Sequence, residues 1–311
     1  MAQMLAPAAS CARLAERPMP FVPIQGKLPR MKYLRLFVLA AGLLTPGIAS
    51  ARSVACPQFF ADGQSPALLN SKLDRRTTFL CNDAYAVLAS GVTHGALWSA
   101  EHLTADSLAV ARDTPRRGRF HADNRLPFSD QAQLSDYRRS GYDRGHMTPS
   151  GDMPGYHAQQ QSFSLANMVP QAGPLNRGVW EGIESAVRDL AVHEGQLYVV
   201  TGAVFQGSEI QSIGDNSVLV PTQTWKAVYD PSVGAAGAYI CTNTDTPACS
   251  TTSIAQLTAI TDIDPFPALS ERAKQADPQL PRPSKCPYNS SSRHEHRRHS
   301  SPSLLDQILS Q

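Results

Sequence analysis

A chain of 311 residues with 42% hydrophobic and 17% charged residues is long enough to bury one substantial core and has the composition of a globular protein. Its formal net charge of +2 is too small to make it a generally basic binder of polyanions, so any affinity for such a partner has to come from a local patch.

Residues 1–30 are rich in Ala, Pro and Arg without a periodic pattern, and read as a misassigned or disordered leader with Met31 as the true start. From there Lys32 and Arg35 precede the apolar run Leu36–Leu44 and the small-residue site Ala49-Ser50-Ala51, the three parts of a secretory signal peptide. The apolar run is about half of the ~20 residues that span a bilayer. Residues 31–51 are therefore expected to be removed on export, leaving a periplasmic or secreted protein without stable membrane association. Arg13, Arg17, Lys27, Arg30, Lys32 and Arg35 leave with Glu16 alone, which takes the mature chain to about −3. Of the cysteines that remain, Cys56 and Cys81 flank an early polar segment, and Cys241 and Cys249 flank a loop rich in Thr, Asn, Asp and Pro. Those two pairs are the expected disulfides of an oxidising compartment, with Cys286 left over.

Between Arg52 and Asp123, Tyr85-Ala86-Val87-Leu88 and Ala96-Leu97-Trp98-Ser99 read as strands separated by a turn at Ser90-Gly91. The polar stretch Arg112–Arg125 reads as a loop carrying Arg116, Arg117 and Arg119, either a phosphate-contacting patch or a solvated face. Val179, Trp180, Ile183, Val187 and Leu190 recur at intervals of three and four, which predicts an amphipathic helix over 179–193. Gln196–Phe205, Val218–Tyr229 and Ala238–Cys241 favour strands, and Pro221 inside the second predicts an edge position or a bulge. From Asp277 the chain turns to Pro, Ser, Arg and His, with one short apolar segment, Leu304–Leu309, and reads as a disordered tail over 277–311. Strands before and after one long helix, without regular alternation, make an α+β domain over 52–276.

The chemistry-bearing residues concentrate between Tyr142 and Arg188. Asp143-Arg144-Gly145-His146-Met147 is followed by Ser164-Leu165-Ala166-Asn167-Met168-Val169-Pro170-Gln171, then by Leu175-Asn176-Arg177-Gly178-Val179-Trp180, and finally by Glu184. In this order and spacing the four elements resemble the DNA/RNA non-specific endonuclease family of ββα-metal (His-Me finger) nucleases, which includes secreted bacterial nucleases and mitochondrial endonuclease G. The resemblance implies a ββα-metal core on a mainly antiparallel sheet flanked by helices. It also implies an enzyme that hydrolyses DNA and RNA and leaves 5′-phosphate and 3′-hydroxyl ends. By the same resemblance His146 is the general base, Asn176 holds Mg²⁺ (with Mn²⁺ as the alternative), Glu184 orients waters around the ion and Asn167 aligns the site.

Elementary chemistry agrees with each role. Histidine is largely neutral at pH 7 and able to accept a proton. Magnesium prefers oxygen ligands and keeps several waters, so one amide oxygen can anchor it, although an Asn at the start of a helix is equally an N-cap. Glu184 and Arg188 also have the spacing of an ordinary i,i+4 pair. Arg144 lies two residues before His146, so in an extended segment both side chains leave the same face. A guanidinium there offers paired donors to phosphate oxygens. Asp143 is expected to hold the loop and Gly145 to allow close backbone approach. The family's upstream arginine is matched by Arg116, Arg117 or Arg119, of which Arg117 is the choice made from sequence. Arg188 and Gln171 are further expected substrate contacts. The cluster His294, Glu295, His296 and His299 lacks the spacing of a helical zinc motif and reads as adventitious metal affinity. A homodimer is left open. The competing readings are an exported nucleic-acid-binding protein without catalysis, recognised by retention without cleavage, and an antibacterial effector nuclease with an immunity partner.

Overall fold

A computed structural model describes residues 55–277 and 279–283, all within one unit. The leader, the signal segment, Cys286, the His294–His299 cluster and Leu304–Leu309 lie outside the described residues. In chain order the elements are β1 (Ala67–Leu68), β2 (Thr77–Cys81), β3 (Tyr85–Ser90), β4 (Gly95–Thr104) and α1 (Ala105–Arg112). Then come β5 (Tyr142–His146), α2 (Gly155–Ser162), β6 (Met168–Ala172), α3 (Trp180–Glu194) and β7 (Gln196–Val204). The chain closes with β8 (Ser212–Ile213), β9 (Val218–Leu219), β10 (Gln223–Asp230), β11 (Ala235–Thr242), β12 (Cys249–Thr252), α4 (Ile254–Thr261), β13 (Ile263–Asp264) and α5 (Glu271–Gln275).

The main sheet is antiparallel throughout, in the order β12-β11-β10-β7-β4-β3-β2, and β5 and β6 form a separate ladder above it. This is the α+β architecture expected from sequence. Alternation along the three central strands sends Trp98, Gly202 and Trp225 to one face and Ser99, Thr201 and Lys226 to the other. On the first face the two tryptophans join Phe60, Ile254, Leu257 and Phe266 in an apolar core. Gly202 sits beside Trp225, where a Cβ would stand 2.3 Å from the indole, so a larger residue would displace the ring. On the second face α3 lays Trp180, Ile183 and Val187 against Leu103, Val199 and Val228.

The helices are held differently. Thr104 and Ser107 form a reciprocal capping box at the start of α1, an arrangement whose capping side chain is worth about 1 kcal/mol. α3 has no side-chain cap. Burial of its apolar stripe, at about 1.5–3 kcal/mol per large side chain, stabilises it instead, and Gly195 at φ 89° ends it. Pro221 falls between β9 and β10, so it marks a break between two strands and not the edge position or bulge predicted; β10 itself is paired on both sides. Cys56 is bonded to Cys81, and Cys241 to Cys249, directly opposite each other between β11 and β12. Among the described residues no helix is long and apolar enough to cross a membrane.

Candidate active site

The β5–β6 hairpin carries the first motif. Because β5 is extended, Arg144 and His146 leave it on one side, and both line a cavity of about 270 Å³. Gly145 between them meets the side chain of Gln171, where a Cβ would stand 2.3 Å from Oε1, so the absence of a side chain lets Gln171 pack directly behind the strand. Gln171 is fully buried and does not line the cavity. The expected substrate contact is therefore corrected to a packing role. Asn167 is also fully buried. Its Oδ1 accepts from the Thr148 amide at 3.0 Å, and its Nδ2 donates to the carbonyls of Thr148 and Ser162, each at 2.9 Å. Its own carbonyl accepts from the Met147 amide at 2.9 Å. Asn167 clamps the segment that follows His146 and is a positioning residue without direct access to the cavity.

His146 is packed between two phenylalanines, with ring centroids 5.6 Å from Phe120 and 5.0 Å from Phe163. The same rings carry the cations of the site. Arg144 lies over Phe120 at 4.3 Å and Arg116 over Phe163 at 5.0 Å. Burial, reinforced by the positive charge of Arg116, pushes the imidazole down to about 3, which leaves it neutral at pH 7. Its Nε2 is sealed from solvent without a partner among the described residues.

Asn176 reaches the cavity from the turn that precedes α3. The turn Leu175–Val179 is wound wider than an α-helix and contains Gly178 at φ −114°, ψ −112°, so Asn176 and Glu184 are not related by eight residues of ideal helix. Both nevertheless line the cavity. Asn176 makes no capping bond; its Nδ2 donates to Asp143 Oδ2 at 3.0 Å. Asp143 also pairs with Arg177 Nε at 2.8 Å, so this carboxylate braces the hairpin against the turn and fixes the Asn176 amide with its oxygen uncommitted to that bond. Glu184 is pushed up to about 7, chiefly by burial, with Lys226 and Arg188 opposing and Asp152 and Glu181 reinforcing the shift.

These donors suit a particular kind of ion. Among the described residues no group of three or more His, Cys, Asp and Glu is placed to hold a metal. That argues against a closed site of side-chain ligands such as structural zinc takes. One amide oxygen beside a half-buried carboxylate fits a hard divalent cation that keeps most of its water, and such a cation would return Glu184 to its charged form.

Of the three upstream arginines, Arg116 lines the cavity and donates to Ser150 Oγ. Arg117, the sequence-based choice, turns away and lies over Tyr156 at 5.4 Å, and the backbone of Arg119 is tied to Gln160. The contact expected of Arg117 at the cavity therefore passes to Arg116. Arg188 borders the cavity, but its guanidinium is engaged by Asp152 at 2.7 Å and by Ser185 at 3.0 Å. It forms wall more than free phosphate ligand, and its ion partner is Asp152 instead of the i−4 glutamate. Sequence reasoning missed Phe120, Phe163 and Ser150, which belong to no local motif. A larger cavity of about 560 Å³ lies at the opposite end of the hairpin, around Tyr142, Gln211, Asn243 and Asp245. It contains neither histidine nor arginine, so the smaller cavity holds the chemistry.

A neutral histidine, stacked arginines and an oxygen-donor pocket on a β-hairpin followed by a helix define a ββα-metal hydrolase of phosphodiester bonds. The sequence model of the DNA/RNA non-specific endonuclease family matches residues 68–272, and the chain belongs to that family. It is similar to nuclease C1 of Cunninghamella echinulata var. echinulata, with 35% identity over 179 residues, 53% of this chain and 71% of that protein. Mitochondrial endonuclease G of Bos taurus is 31% identical over 221 residues, 67% of this chain and 69% of its own. A chain in the solved complex of EndoG with EndoGI superimposes with a TM-score of 0.58 at 26% identity, covering 63% of this chain and 88% of that one. The protein is thus a metal-dependent endonuclease acting on nucleic acid.

Proposed function

We propose that this endonuclease is an exported enzyme that hydrolyses both DNA and RNA, with His146 as general base and Mg²⁺ held at Asn176, leaving 5′-phosphate and 3′-hydroxyl ends. The observation that carries the reading is the convergence of His146, Arg144, Arg116, Asn176 and Glu184 on one cavity. His146, kept neutral by its aromatic surroundings, takes the proton of the attacking water as the new P–O bond forms and the bond to the 3′ oxygen breaks, the departing oxygen taking a proton from solvent to become the 3′-hydroxyl. Arg144 and Arg116, immobilised on their phenylalanine faces, neutralise the charge that builds on the phosphoryl oxygens. Asn176, aimed by Asp143, would supply the one protein oxygen on the metal, and Glu184 would orient its waters. When bound, Mg²⁺ would supply positive charge to the phosphate and the departing oxygen. Mn²⁺ has the same preference for oxygen donors and would substitute. Contacts made through phosphate explain indifference to base and sugar.

Export rests on the signal-like sequence of residues 31–51 and the two cysteine pairs, which belong to an oxidising compartment. Purified protein is to be incubated with plasmid DNA and with RNA, in Mg²⁺ or in EDTA, beside His146→Ala. Both substrates should be cut in Mg²⁺ only, and the variant should lose roughly 10²- to 10⁴-fold in rate while still retaining nucleic acid. Degradation in EDTA that survives the substitution would sink the mechanism.

A further inference from the structure

Just outside the cleft, the loop that carries Arg116 is fixed rigidly to α2. Thr114 Oγ1 accepts from the Gly155 amide at 3.1 Å. The amides of Arg117 and Gly118 both donate to Gln159 Oε1, at 2.7 and 3.2 Å, and Gln159 is itself 2% exposed. The Arg119 amide donates to Gln160 Oε1 at 3.0 Å, and Gln160 Nε2 returns a bond to the Arg119 carbonyl at 2.8 Å. Gly118 lies against Phe163, the same ring that supports Arg116 and His146. One residue after the phosphate-facing Arg116, the chain therefore presents Arg117 outward, its guanidinium over the ring of Tyr156 in the first turn of α2. Tyr156 is 52% exposed, a large aromatic surface left in solvent beside the cleft, and nothing in the catalytic arrangement uses it.

We infer that Tyr156 and Arg117 form a stacking subsite for an unpaired nucleobase of a single-stranded substrate, beyond the nucleotides that flank the scissile phosphate. The inference rests on the nuclease reading above. An exposed ring with a guanidinium on it offers two flat faces to a base, which every base can use irrespective of its hydrogen-bonding edge. The clamps from Gln159 and Gln160 already order the backbone that carries Arg117, which lowers the cost of presenting it beside Tyr156 when substrate arrives. Bases inside a duplex are stacked on one another and cannot reach it, which makes the subsite selective for single strands.

The test compares wild type, Tyr156→Ala and Tyr156→Phe on a labelled single-stranded oligonucleotide, the duplex of the same sequence, and a dinucleotide. Tyr156→Ala should lower kcat/KM on the single strand by roughly five- to hundredfold, through KM, while Tyr156→Phe keeps it. Duplex and dinucleotide should change by no more than about twofold. An equal loss on all three substrates, or no loss on the single strand, overturns the subsite. Binding of the single strand in EDTA, followed by fluorescence anisotropy, reads the platform without catalysis. A wild type that binds but never cuts removes the proposed function and leaves the platform standing or falling on the Tyr156→Ala affinity.

Discussion

On one face of the central strands Trp98, Val200 and Trp225 pack into a dry core; one residue along, on the other face, Ser99, Glu101, Thr201 and Lys226 make a buried polar layer beneath the cleft. The strands, their pairing and their degree of burial are the same, and only the side chains differ. On the polar side Lys226 donates to Thr201 Oγ1 at 2.6 Å and lies 5.8 Å from the Trp180 ring at the start of α3. Glu101 is 1% exposed, its oxygens have no hydrogen-bond partner among the described residues, and burial drives its carboxyl well above the usual range. Asp152 and Glu184 push it further, while Lys226 and Arg188 oppose. Thr148 donates to Ser99 Oγ at 2.9 Å, tying this layer to the segment that Asn167 clamps behind His146. The dry face supplies stability; the polar face gives up some of it to hold charges under Glu184.

The largest expected effect breaks that comparison on stability. Lys226→Met removes a buried cation that opposes the raised carboxyls of Glu101 and Glu184 and takes away the bond to Thr201, so unfolding in urea should show a loss of about 1–3 kcal/mol. Adding Glu101→Gln should recover part of it, giving a non-zero coupling in the double-mutant cycle. A single variant as stable as wild type would show that the polar layer carries no such charge balance. Within the cleft the contrast narrows to neighbouring residues. On a dinucleotide, Arg116→Ala should lower kcat/KM by about 10²-fold, the scale of one lost oxyanion donor. Arg117→Ala should leave it within about twofold, and equal effects would undo the assignment of the two side chains.

Much of the site was legible because its residues are local in sequence. Period two in β5 places Arg144 with His146, and the spacing from Val179 to Leu190 gives α3. The reading failed where a third element decides. Whether Arg116 or Arg117 faces the cleft depends on how Gln159 and Phe163 of the later α2 segment grip the loop, and no feature of the arginine run itself encodes that. Gln171 has the polarity of a substrate contact, yet β5–β6 register turns it behind Gly145. The wide turn at Leu175–Val179 was hidden because its apolar spacing is the same as that of a helix. Lys226 reads as an ordinary strand residue, and Glu101 lies beyond the strand read at Ala96–Ser99, until pairing through β7 brings both beneath α3.

The last expected effect concerns pH. His146 ionises at about 3 in the fold against about 6.5 when exposed, so between those values the unfolded chain binds a proton that the native state refuses. Stability from this residue is complete above about pH 6.5 and is lost as the pH falls toward 3, with a slope of about 1.4 kcal/mol per pH unit. Glu184, raised to about 7, tilts the opposite way: its contribution is present below about 4.5 and disappears as the pH rises through 7. The two slopes offset each other in the wild type, and the difference between wild type and His146→Ala isolates the histidine. Measured in EDTA by urea unfolding, that difference should shrink steadily from pH 6.5 to 4, because the variant has no imidazole to protonate. The dry core has no side chain that titrates in this window, so a slope arises from the cleft face or from surface carboxylates common to both proteins. A difference independent of pH would mean that His146 accepts its proton in the native state as easily as in the unfolded one. The aromatic packing would then not be what keeps it a base.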